Sequence, residues 1–122
     1  MSSIDQNTPR DVLEKEAAKD NPTALLYIAI HSAFGTNGFD KDEAKKIEFY
    51  KKGAAFADQG SAAAQHCRGV CYLMGYGVDE NEKESVKWFQ KAAEQGLAPA
   101  QHGLGFCYMT GIPNALENSR QF

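Results

Sequence analysis

At 122 residues the chain has enough length for one domain with a real core and too little for two. Hydrophobic residues at 43% and charged residues at 24% sit near ordinary globular usage, which argues against wholesale disorder. The net charge of −3, from 13 basic and 16 acidic residues, demotes nucleic acid and anionic membrane as partners, since both reward a basic excess.

Residues 1–8 read as a polar tail. The first twenty residues carry neither a basic start nor an apolar stretch, so no secretory leader is expected. Thr8-Pro9-Arg10-Asp11 predicts a helix start with proline at the first position, opening a capping helix over 9–20. Its body runs from Asp11 to Lys19, with Asn21 standing in for a terminating glycine. Residues 22–60 follow as a degenerate first repeat. Its apolar run, Leu25 to Ile30, extends weakly to Phe34 through His31, well short of the ~20 residues that span a membrane. Gly35 and Gly38 then predict a stop, and Asp40 with Glu43 a fresh helix start. In that second helix Lys45, Lys46, Lys51 and Lys52 alternate with Glu43 and Glu48, the pattern of a solvated face.

Residues 61–96 form the best-defined repeat. Ser61 caps a helix expected to run to about Met74, and Gly75 and Gly77 stop it. Asp79 and Glu82 predict a capping box for a second helix that runs to about Gln95 and ends at Gly96. Residues 97–122 read as a truncated third repeat, in which Gly111, Asn114 and Glu117 repeat the same signals before a helix from about Ala115 to Phe122.

The repetition is explicit. Gln59-Gly60-Ser61-Ala62-Ala63-Ala64-Gln65-His66 returns 36 residues later as Gln95-Gly96-Leu97-Ala98-Pro99-Ala100-Gln101-His102. The match continues through Gly69/Gly105, Cys71/Cys107, Tyr72/Tyr108 and Gly75/Gly111. Ile47-Glu48-Phe49-Tyr50-Lys51-Lys52 aligns with Val86-Lys87-Trp88-Phe89-Gln90-Lys91 at a shift of 39, the difference being three extra residues around Ala55-Phe56-Ala57. An all-α fold of stacked helix-turn-helix hairpins is therefore expected. Glycine inside a helix costs ~1 kcal/mol relative to alanine. Gly69 and Gly105 therefore predict close approach of a neighbouring helix, with Tyr72, Tyr108, Trp88 and Phe49 wedged between hairpins.

The residues Ala64-Gln65, Gly69, Tyr72, Gly75, Gly77-Val78, Asp79, Trp88, Lys91-Ala92-Ala93 and Gly96 resemble the Sel1-like repeat family, relatives of tetratricopeptide repeats. The resemblance spans roughly residues 24–112 and departs at Arg68, where the family usually has the leucine seen at Leu104. Arg68 either snorkels along the interface or marks shifted packing. The resemblance implies an α-solenoid, a short right-handed superhelix whose first helices line a concave face, acting as an adaptor or scaffold. Bacterial members include immunity proteins that neutralise toxins, so a toxin is one expected partner.

Mapping the concave positions of related repeats gives Thr23, Leu26, Ile30 and Ala33, then Ala63, His66, Val70 and Leu73, then Pro99, His102, Phe106 and Met109. Of these, Leu26, Ile30, His66, Val70, Leu73, His102, Phe106 and Met109 are the expected partner-binding residues. The expected occupant is a helix or extended segment of another protein, and the chain itself a monomer or weak homodimer.

Other chemistry ranks lower. His66…Cys71 and His102…Cys107 repeat a metal-like pairing, but five residues of helix place the two members about 140° apart. An odd count of three cysteines favours a reducing compartment, hence a cytoplasmic address, and no disulfide framework. The Gly75-Gly77 pair is a helix stop and not a phosphate loop, and the three histidines have no nucleophile motif beside them. No cofactor, metal or catalytic residue is expected; a histidine-dependent enzyme or small-molecule binder is the remaining alternative.

Overall fold

The structure, a computed structural model, describes residues 3–110. It contains helices α1 (Arg10–Ala17), α2 (Pro22–Phe34), α3 (Glu43–Ala54), α4 (Ala62–Met74), α5 (Glu82–Glu94) and α6 (Ala98–Met109), with a short 3-10 turn at Ala57–Gln59. No strand occurs among the described residues. Each helix packs on the next in sequence, and α2 also touches α4, as α4 touches α6. That pattern is hairpin piled on hairpin, an α-solenoid. The 3-10 turn accommodates the three residues by which the first repeat is longer.

Local chemistry explains most helix ends. Ser61 Oγ accepts from the Ala64 amide, and Gly35 and Gly75 close α2 and α4 at φ of 66° and 75°. Only glycine adopts that left-handed region without penalty. Two helix starts differ from expectation. The caps of α3 and α5 are Asp42 and Asn81, each two residues beyond the predicted Asp40 and Asp79. The reason is tertiary: the Asp42 amide donates to Ser32 O and the Asn81 amide to Tyr72 O, both at 2.8 Å. Each connecting loop is thereby pinned to its own first helix, and the next helix starts at the pin.

The N-terminal helix also shifts. It occupies Arg10–Ala17, with Pro9 and Ala18 as its caps, and the turn that follows passes through Asp20 at φ 60°. Asn21 does not terminate it; its side chain accepts from the Thr23 and Ala24 amides and starts α2, with Pro22 behind it. The expected signals at Gly111, Asn114 and Glu117 and the helix from Ala115 to Phe122 lie outside the described residues.

The core has three parts. Leu13, Ala24, Tyr27, Ile28 and Phe39 seal α1 onto the first hairpin. Leu26, Ala29, Tyr50, Ala54, Ala63, Cys67 and Cys71 join the first hairpin to the second. Val86, Phe89 and Cys107 join α5 to α6. Small side chains at the middle junction let helices approach closely: a Cβ on Gly53 would lie 2.6 Å from Cys67 Sγ. Phe89, 1% exposed, fills the position expected for Trp88, which instead lies half-buried between the cations of Arg68 and Lys91 at 4.9 and 4.3 Å. Positions one residue apart on a helix, such as Trp88 and Phe89, differ by 100°, enough to exchange core for surface.

Candidate interaction surface

The expected binding residues divide according to what covers them. Leu26 is 0% exposed and belongs to the middle core with Ala29 and Tyr50, so it has no surface to offer a partner. Ile30, Val70 and Leu73 are half-buried, packed onto core clusters. His66 is buried, its ring tilted against Phe89 at 5.2 Å, with Nδ1 lacking a hydrogen-bond partner. Burial pushes its pKa down to about 4, so the imidazole is neutral near pH 7. His66 is therefore an interior residue and not a polar contact on a groove. In contrast, His102 is exposed, and Phe106 and Met109 of α6 are 53% and 85% exposed. The eight residues do not form one continuous wall.

Of the remaining mapped positions, Ala63 is buried, and Thr23, Ala33 and Pro99 are half-buried. Gly105 also departs from expectation, because no atom of the described residues lies within 4 Å of a Cβ built there. Gly103 is the glycine of α6 that faces Phe89, at 3.2 Å.

The structure brings forward two residues that the sequence mapping passed over. Phe34 and Met74, the last residues of α2 and α4, are 73% and 54% exposed. Each lies one position past the mapped Ala33 and Leu73 and immediately before a left-handed glycine. Each also lies four residues after a half-buried apolar residue, Ile30 or Val70, and therefore on the same helix face. On α6, Phe106 occupies the place of Val70. Because α2, α4 and α6 are neighbours in the stack, the last turns of the first helices present Phe34 and Met74 from equivalent positions, and Phe106 from the place one turn earlier. An apolar residue directly preceding a helix-stopping glycine is the sequence signal that would have found Phe34 and Met74.

The cysteines and histidines provide no second site. Cys67, Cys71 and Cys107 are free thiols, all buried, and burial pushes each thiol pKa up, Cys71 to about 11. Among the described residues no three His, Cys, Asp or Glu side chains are placed to hold a metal ion. No helix of the described residues is long and apolar enough to cross a membrane.

Comparison with known proteins adds the following. The family model described as Sel1 repeat matches residues 61–97 and 98–121. A crystal structure of a Sel1 repeat protein from Oxalobacter formigenes is similar at a TM-score of 0.56 and 29% identity, covering 91% of this chain and 82% of that one. A protective antigen of uropathogenic Escherichia coli strains, described as displaying an SLR fold, aligns at a TM-score of 0.45 and 28% identity, over 84% of this chain and 29% of that one. No curated protein matches.

Proposed function

The chain belongs to the Sel1 repeat family, and from that premise we propose that it is a non-catalytic interaction module that holds another protein along the ends of its first helices. Sel1 repeat proteins are generally protein–protein interaction modules. The observation that carries the reading here is the recurrence of a large exposed apolar side chain, Phe34 then Met74, at equivalent positions of successive hairpins. Such residues gain from being covered, at about 25 cal/mol per Å² of apolar area removed from water. Phe106 and Met109 extend the apolar area on α6.

The occupant that suits such a row is an amphipathic helix or extended segment, which sets side chains at regular intervals against successive hairpins. An adaptor in the cytoplasm is the reading adopted, with the chain a monomer or weak homodimer. An immunity-type role uses the same row and differs only in the partner being a toxin. A histidine-dependent activity has less support, because His66 is interior while His102 is exposed on α6.

The test is affinity capture from the native host with the wild-type protein and the variants Phe34→Ala, Met74→Ala and Phe106→Ala. Loss of the captured protein by at least ~1 kcal/mol in affinity, with unchanged thermal unfolding, is expected for at least two of the three. Undiminished capture by the triple variant would sink the reading.

A further inference from the structure

A separate cavity of about 380 Å³ opens between α3, α4 and the loop after α4. Its chemistry differs from that of the apolar row. Lys51 of α3, Arg68, Cys71 and Tyr72 of α4, and Tyr76 and Gly77 of the loop line it. We propose that this cavity binds a single carboxylate presented by a polypeptide, with Lys51 as its principal counter-charge and Arg68, Tyr72 and Tyr76 as flanking donors.

Three observations support it. First, Lys51, though exposed, lies against the loop after α4. Its aliphatic stem runs against Gly77, where an added Cβ would sit 2.9 Å from Lys51 Cε. Gly77, at φ 75°, thus provides both the turn and the space for the lysine stem. Second, the charges leave one cation over. Arg68 pairs with the Asp58 carboxylate at 3.0 Å, and Lys46, beside the Tyr76 ring, pairs with Glu43. Lys51 has no carboxylate partner among the described residues. One uncompensated positive charge suits a monoanion better than a phosphate dianion. Third, both cations act on the same point. Burial raises the Cys71 thiol pKa, while Lys51 and Arg68 each pull it the other way, as charges near its sulfur must.

Arg68 is also where the two repeats diverge, since Leu104 stands at its place in the next copy. Its guanidinium lies over the Trp88 ring, and only one of its five N–H donors is needed for Asp58. The tyrosine hydroxyls supply neutral donors, which a carboxylate accepts readily. Tyr76, which lines the cavity, stands two residues after Met74, so the cavity adjoins the apolar row in the chain.

The inference rests on the interaction reading only in taking the carboxylate from a polypeptide; its test reads the cavity directly and is independent of the apolar row. The experiment titrates the ¹⁵N-labelled chain with a capped glycine peptide carrying one central glutamate, the same peptide with glutamine, a glycine peptide with a free terminal carboxylate, and inorganic phosphate. Saturable shifts of the Tyr76 and Gly77 amides are expected up to about 10 mM, a range suited to isolated weak contacts. Shifts with the glutamate peptide assign a side-chain carboxylate, and shifts with the free-terminus peptide a chain end; either supports the proposal. Lys51→Met is expected to weaken binding about fivefold, and Arg68→Leu, which copies the sister repeat, by less. Equal binding of the glutamine peptide, saturation by phosphate alone, unaltered binding to Lys51→Met, or no saturable shift at all would each overturn it.

Discussion

Helices α4 and α6 carry nearly the same message 36 residues apart, yet they occupy different environments. Ala64, Gln65, His66, Gly69, Cys71 and Tyr72 recur as Ala100, Gln101, His102, Gly105, Cys107 and Tyr108. In α4, His66 is 5% exposed against Phe89, and Gln65 is buried and accepts from Gln95 Nε2 at 2.9 Å. In α6, both counterparts are exposed. A Cβ on Gly69 would meet Phe89 at 2.6 Å, whereas one on Gly105 meets no described atom within 4 Å. The buried Ser85 hydroxyl donates to Gly69 O at 2.8 Å, fixing α5 against α4. Helix α4 is flanked by α3 and α5; among the described residues, α6 is covered chiefly by α5, with slight contact to α4. Burial in a solenoid is therefore assigned by the neighbour, and identical residues take opposite roles when one neighbour changes.

The largest expected effect comes from Phe89, whose ring touches both helices. Phe89→Ala should cost about 3–5 kcal/mol in urea unfolding, the cost of emptying a filled aromatic site. Phe106→Ala should cost less than about 1 kcal/mol, since its side chain is half exposed. Equal costs would break the comparison, by showing that Phe106 of α6 is as fully covered as Phe89.

The buried histidine gives the next effect. The folded pKa of His66 lies near 4, below the unfolded value near 6.5, so between these pH values the unfolded chain binds the proton first. Stability from this source is complete above about pH 6.5 and lost as pH falls toward 4, on the order of 2–3 kcal/mol over the window. His66→Leu, which places there the residue found at Leu26 in the first repeat, should flatten the unfolding free energy between pH 7 and 4.5. An unchanged slope would place the imidazole in water and not against Phe89.

The smallest effect sharpens the comparison through its sign. Gly69→Ala forces a methyl against a ring with no room to retreat and should destabilise by about 1–2 kcal/mol despite better helix propensity. Gly105→Ala meets nothing among the described residues and should stabilise by roughly 0.5–1 kcal/mol. Thermal unfolding of the two variants side by side distinguishes them; two shifts of the same sign would remove the distinction between the helices.

Particular residues show how far local rules reach. Ser61 as a cap and Gly35 and Gly75 as stops were legible, because capping oxygens and left-handed backbone are properties of a few adjacent residues. The cap of α5 at Asn81 was not, because the hydrogen bond to Tyr72 O that places it crosses the hairpin. Exposure on the first helices was not legible: the mapped Ala33 and Leu73 each stand one residue before the large exposed side chains, Phe34 and Met74. A single step of 100° around the helix separates the two choices, and spacing alone does not resolve it.

By itself the sequence determined the helical hairpins and their repetition, since helix periodicity, caps and glycine stops act over a few neighbouring residues. Tertiary structure decided which copy of a repeated residue is interior. It buried His66 and left His102 in solvent, made Gly69 a contact and Gly105 open, and brought Lys51, Arg68 and two tyrosines around one cavity. The physical reason is that burial and electrostatic environment belong to the packed neighbours, and a residue's own sequence context does not contain them.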